Sequence, residues 1–171
     1  MERNNMAEHI RRGIQSGVLD SSPVKPFNGV VGVGTIILAL DTERVLLQFR
    51  NSDKRHKHTW GFWGGLLEPG ESPYEALTRE LDEELGFVPD INKLNPIDVY
   101  QSKDKNFMYY SFVAVIENEF MPNLNGESCG YAWVNIGNWP KPLHEGARAT
   151  LNYNKGNQKL ETILNLHKCQ T

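Results

Sequence analysis

GLLEPGESPYEALTRELDEELGF, residues 65–87, contains the best-marked helix of the chain, and the rest of the fold is read outward from it. Ser72 suits the N-cap, Pro73 the first helical position, and Glu75 completes a Ser-x-x-Glu capping box. Gly86 follows the last periodic residue, where a left-handed cap ends a helix. The spacing therefore predicts a helix over Pro73–Leu85. At about 100° per residue, Glu80, Glu83 and Glu84 share one arc, while Tyr74, Leu77, Leu81 and Leu85 occupy the neighbouring arc and face a core. A charged arc is most simply a solvated surface. Two features argue against that here. Glu83 and Glu84 sit in the last turn, where the helix dipole favours cations. Glu80 and Glu84 are like charges four residues apart, which costs a few tenths of a kcal/mol, and no lysine or arginine shares the arc. A bound cation makes sense of this arrangement.

Clustered carboxylate oxygens are hard ligands, suited to Mg²⁺ or Mn²⁺. Such ions neutralise phosphate charge, acidify a bound water and clamp attacking and leaving oxygens, which is the chemistry of phosphoanhydride hydrolysis. Arg79 is placed to orient the Glu80 carboxylate or to neutralise charge. The same stretch resembles the Nudix box: Gly, five residues, Glu, seven residues, Arg-Glu, an aliphatic, any residue, Glu-Glu, any residue, Gly, an aliphatic or aromatic. Every fixed position is filled. Seven specified residues, each at roughly 5–8% of ordinary proteins, coincide about once in 10⁸ starting points.

The resemblance implies a MutT-like Nudix hydrolase and assigns roles within the box. Glu83 and Glu84 become the principal metal ligands, Glu80 a ligand or the water-activating base, and Arg79 its support. The Gly65 carbonyl joins the coordination shell in this family, and Glu71 braces the loop or touches a second metal. Outside the box, NGESCGYAWV (125–134) resembles the segment in which a loop glutamate precedes a strand tryptophan by six residues, making Glu127 a further ligand or base. WGFWGG (60–65) resembles the family's approach to the box, except that Trp63 stands where proline is common. The departure bears on the shape of the loop, although the glycines and all the acids remain.

Working outward, VVGVGTIILAL (30–40) reads as a strand buried on both faces, and RVLLQFR (44–50) pairs with it as a hairpin. Residues 51–65 read as a loop. Further strands are predicted at Ile97–Gln101, Phe107–Ile116 and Tyr131–Ile136, with closing helices in HEGARATLNY (144–153) and QKLETILNLHK (158–168). Strands around a central helix with another helix at the end predict an α/β/α sandwich with a mixed sheet, the Nudix fold. A short amphipathic helix is expected over 6–18, within an N-terminal extension (1–26) that Pro23 and Pro26 separate from the domain at 27–171. VVGVGT is not followed by a helix, so a dinucleotide fingerprint fails its context test.

Arg50, Lys54, Arg55, His56, Lys57 and His58 crowd the loop before the box. They form either a solvated basic loop or a set of phosphate contacts, of which Arg50 is the best placed. Trp60, Trp63, Tyr109 and Tyr110 are either packing residues or stacking surfaces for a base or sugar.

With 171 residues, 39% hydrophobic and 23% charged, the chain has the size and composition of one globular domain. Its apolar runs, such as Ile36–Leu40, are too short to span a membrane, and MERNNMAEHIRRG lacks the apolar stretch expected of a secretion signal. Cys129 and Cys169 form no metal or redox motif, and the default is a reduced, cytoplasmic location. A net charge of −3 without a basic block does not call for nucleic acid. The resemblance implies a small nucleotide substrate, such as a (deoxy)nucleoside triphosphate or a nucleotide sugar, with Mg²⁺ or Mn²⁺ as cofactor. Two alternatives stand beside it: a non-catalytic nucleotide-sensing domain and an RNA 5′-end or cap hydrolase. Homodimerisation, common in the family, is left open.

Overall fold

The computed structural model describes residues 27–51 and 56–169. The segment expected to form a helix over 6–18 lies outside them. Among the described residues six strands form one mixed sheet: β1 (Val30–Ala39), β2 (Arg44–Arg50), β3 (Trp60–Gly61), β4 (Lys93–Gln101), β5 (Phe107–Ile116) and β6 (Ser128–Asn135). β1 runs parallel to β5 from Val30↔Phe107 to Ala39↔Ile116, and the other pairings are antiparallel. Helix α1 (Pro73–Leu85) covers one face. The short helix α2 (Glu145–Arg148), a π turn (Ala149–Tyr153) and α3 (Gly156–Lys168) cover the other.

The two faces of β1 explain its unbroken apolar run. Val33, Ile37 and Ala39 pack with Leu46, Trp63, Leu77 and Leu81 under α1. Ile36 and Leu38 pack with Val45, Leu47, Leu151, Leu160 and Leu164 under the C-terminal helices. A strand enclosed on both sides has no polar face to alternate with. The α/β/α sandwich expected from the sequence is therefore present.

Several boundaries differ from expectation; β6 begins at Ser128 rather than Tyr131, and α3 at Gly156 rather than Gln158. β4 begins at Lys93 rather than Ile97, with Pro96 inside it. It is an edge strand, and its register shifts between Pro96 and Asp98, which is where a sheet tolerates proline. The expected helix 144–153 is a single α turn that loosens into a π turn. Residues 51–65 are not wholly loop. β1 and β2 pair only at Ile37↔Leu46 and Leu38↔Val45 and then diverge. The chain enters the fork between them. Trp60 and Gly61 pair with Phe49 and Gln48 of β2, and Trp63 and Leu66 then bridge to Thr35 and Gly32 of β1.

Trp63 sits at the point of this wedge with none of its surface exposed. Its N–H donates to Thr35 O at 3.0 Å, its carbonyl accepts from Thr35 N at 2.8 Å, and its indole Nε1 donates to Leu46 O at 3.2 Å. Proline has no N–H to close this pair. The reading of Trp63 as a substrate contact is therefore corrected: the ring is enclosed in the core and plugs the fork.

Candidate active site

Helix α1 forms as its caps dictate. Ser72 Oγ accepts from Glu75 N, Glu75 Oε2 accepts from Ser72 N at 2.8 Å, and Gly86 takes a left-handed conformation. Leu77, Leu81 and Leu85 anchor it to the sheet. That anchoring fixes the rotation of the helix and brings its acidic arc to the Gly64–Gly65 end of the wedge. A Cβ on Gly65 would run into the Glu80 carboxylate, so glycine is what lets the two come this close. The Gly65 carbonyl accepts from Val33 N at 2.8 Å, which engages one of its two lone pairs.

Arg79 is the hub of the box. Nε and Nη2 reach the two Glu71 oxygens at 2.8 and 3.0 Å, Nη1 reaches Glu80 Oε1 at 2.9 Å, and Nη2 also reaches Leu66 O at 2.9 Å. Glu83 Oε2 lies 3.6 Å from Nη1. Glu71 accepts in addition from Glu68 N at 2.8 Å, which closes the 68–71 turn. The Arg79 guanidinium holds the Glu71 carboxyl below its usual range. It also opposes, without overcoming, the burial that raises Glu80.

Glu84 is the buried member of the arc, 2% exposed. Its Oε2 accepts from Gly64 N at 2.7 Å, and Oε1 accepts from Gln48 Nε2 at 3.2 Å. Burial pushes its pKa up to about 8, against the pull of these two donors and with the help of the neighbouring Glu80 and Glu127 charges. Glu83 is more than half exposed. Glu127 comes from the turn before β6, and its charge is felt at both Glu80 and Glu84. That turn is fixed by Asn125, whose Oδ1 accepts from Glu127 N and whose Nδ2 donates to Glu83 O, both at 2.8 Å. The fold thus gathers Gly65, Glu71, Arg79, Glu80, Glu83, Glu84 and Glu127 at one end of the sheet. Among the described residues, no three acidic or histidine side chains already converge on one point as a closed metal cage. Glu80 is turned to Arg79, and Glu84 to Gln48 and Gly64.

Arg50 and Trp60 lie to one side. Arg50 ends β2 at a register shift, and its positive charge is felt by Tyr109 and His144. Trp60 is half-buried against Phe49, with ring centroids 4.9 Å apart. Tyr109 lies over Gly32 and Gly34 on the α2–α3 face, whereas Tyr110 packs on the α1 face. Lys54 and Arg55 fall outside the described residues.

Three residues escaped the sequence reading. Gln48 and Ser128, both buried, tie β2 and β6 to Glu84. Gln48 left a trace, as the one polar residue inside VLLQF. Ser128 left none. His144 accepts from Gly146 N through Nδ1 at 3.1 Å, and burial together with the charges of Arg50 and His56 lowers its pKa to about 4. It lies 57 residues beyond Phe87, the last residue of the box, and no local pattern points to it.

The NUDIX domain model matches residues 30–153. The chain belongs to this family and is a Nudix hydrolase, one of a class that generally uses divalent metals such as Mg²⁺. Among proteins of known description it is 29% identical over 108 residues to a Bacillus subtilis protein named for 8-oxo-dGTP diphosphatase activity, covering 63% of this chain and 68% of that protein. It is 37% identical over 71 residues to the ADP compounds hydrolase NudE of Escherichia coli, covering 39% of this chain and 35% of that protein. The chain thus spans about a third of the second relative's length. A MutT Nudix hydrolase structure from Burkholderia pseudomallei shares the fold with a TM-score of 0.57 at 23% identity, over 72% of this chain and 95% of that one. No helix among the described residues is long and apolar enough to cross a membrane.

Proposed function

We propose that this hydrolase cuts the phosphoanhydride bond of a nucleoside diphosphate linked to another moiety, in a small nucleotide such as a (deoxy)nucleoside triphosphate or a nucleotide sugar. The observation that carries the reading is Glu84. It is a carboxylate at 2% exposure, flanked by Glu80 and Glu127, whose polar partners are neutral donors. A charge taken out of water in this way needs a counter-ion or a proton. Glu80, Glu83, Glu84 and Glu127 are the oxygen donors that would hold Mg²⁺ or Mn²⁺, with the Gly65 carbonyl beside them. The donor set fits a hard cation: Arg79 holds Glu80 through Oε1 and leaves Oε2 for the ion, and Glu83 sits 3.6 Å from the same guanidinium. When bound, such an ion supplies charge neutralisation at the phosphates and acidifies water.

The chain's own residues do the rest. Glu80 is either one of these ligands or the acceptor of the attacking water's proton, a task its burial-raised basicity suits. Arg79 orients Glu80 while it clamps the 66–71 turn through Glu71, which gives Glu71 a bracing role. Arg50 supplies positive charge for a phosphate beside the carboxylates, and Trp60 lies next to it. The two relatives are named for 8-oxo-dGTP and for ADP compounds, each a nucleoside diphosphate carrying a further group, which supports this class.

The test is incubation with Mg²⁺ or Mn²⁺ and a nucleotide panel, following phosphate, pyrophosphate and nucleoside monophosphate, with E83Q in parallel. Cleavage of one class by the wild type, with E83Q reduced more than about a hundredfold, supports the assignment. Tight binding of a nucleotide with no cleavage of any would replace it with a sensing role.

A further inference from the structure

We infer that Gln48 is a positioning residue for Glu84, and that Ser128 sets the direction in which the Gln48 amide points. The inference rests on the reading of Glu84 as a metal ligand. Gln48 is 1% exposed in the middle of β2. Its Nε2 donates to Phe62 O at 2.5 Å and to Glu84 Oε1 at 3.2 Å, and its Oε1 accepts from Ser128 Oγ at 2.7 Å. One amide therefore joins β2, the wedge, α1 and the first residue of β6.

The orientation of this amide follows from chemistry. The Phe62 carbonyl and an ionised Glu84 are acceptors only, whereas the Ser128 hydroxyl can donate. Turning the amide over would face Oε1 to two acceptors and leave no proton between them. Each such buried mismatch costs the desolvation of the group concerned. Ser128, itself 5% exposed, completes the arrangement by giving the amide oxygen its donor.

The identity of the donor matters for the cation. Among the described residues no lysine, arginine or histidine forms an ion pair with Glu84, in contrast to Glu71, Glu80 and Glu83, which all meet Arg79. An amide and a backbone N–H fix the carboxylate plane from both oxygens without cancelling its charge. A carboxylate has about four lone-pair sites, so two remain for a cation. A guanidinium in the place of Gln48 would orient Glu84 equally well and compete with the metal. Outer-shell partners of this kind typically change metal affinity 10–100-fold when removed.

The experiment is Mn²⁺ binding to the full chain by calorimetry without nucleotide, for wild type, Q48M, S128A and the double variant. Metal-free melting is recorded for each. Methionine keeps the length and volume of glutamine and removes the donor. Q48M is expected to raise the Mn²⁺ dissociation constant about 10–100-fold and S128A by a smaller factor. The double variant should bind no more weakly than Q48M, because Ser128 acts through Gln48. A change in melting alone, with Mn²⁺ affinity within twofold of wild type in Q48M, overturns the proposal. So does full addition of the two losses. Should Q48M fail to fold, S128A decides: unchanged affinity overturns, weakened affinity supports. A wild type that binds no Mn²⁺ removes the metal reading itself and this inference with it, an outcome distinct from a wild type that binds and a Q48M that binds equally.

Discussion

The two ends of the carboxylate cluster are held in different ways. At the outer end, Glu71, Glu80 and Glu83 all meet one guanidinium, Arg79, and every member comes from the stretch 65–87. At the inner end, Glu84 meets Gln48 from β2 and the backbone N–H of Gly64, and the support of Gln48 comes from β6. The outer end has its counter-charge built in. The inner end has orientation without counter-charge, and burial pushes its carboxyl up to about 8. The difference teaches that the box supplies counter-charge of its own, one guanidinium to three carboxylates, on the side it can reach by itself. It is left short of positive charge on the side that the sheet supports.

The comparison breaks most clearly at Glu84. E84Q keeps the shape and the Gly64 contact but removes the charge. Its activity with Mg²⁺ should fall by more than about a hundredfold, beyond the range typical of an outer-shell partner, while its metal-free stability falls only by the one hydrogen bond from Gln48 that the new NH₂ cannot accept, about 1 kcal/mol. An active E84Q would show that the inner end needs no cation. R79A attacks the outer end and should differ in kind. It strands Glu71 and Glu80 and frees the 66–71 turn, so stability drops by about 1–3 kcal/mol as activity falls about 10–100-fold. Thermal melting and initial rates on one preparation read both.

The smallest effect sharpens the comparison through pH. In metal-free protein, folded Glu84 keeps its proton up to about 8, against an ordinary value of 4.5. Between those values the folded state binds the extra proton, so stability falls as pH rises. His144 works in the opposite sense: its folded value of about 4 lies below 6.5, so stability is lost as pH falls through that interval. From pH 6.5 to 8 the Glu84 slope stands apart from that of His144. Melting in EDTA should drop across this window, by about 2–4 °C for each kcal/mol in a chain of this size. E84Q should remove the slope. A flat wild-type profile would mean that Glu84 is ionised in the fold without a cation.

Residues 65–87 alone were enough to specify the helix, its caps, the acidic arc and the family, because a helix turns at a fixed angle per residue and capping acts over three or four positions. The double-sided burial of β1 was also legible, since a strand enclosed on both faces has to be apolar throughout. The place of Trp63 was not legible. Whether an indole stacks on a ligand or plugs a fork depends on where β1 and β2 part, which is settled by the pairing of β1 with β5 and of β2 with β6. The same holds for Gln48, Ser128, His144 and the approach of Glu127. Each acquires its meaning from a neighbour 14 or more residues away. Local periodicity and capping therefore determined which residues carry charge on one side of a helix. Long-range strand pairing decided which of those charges is buried, what holds it, and how far its proton is retained, because burial depends on what the rest of the chain brings over it.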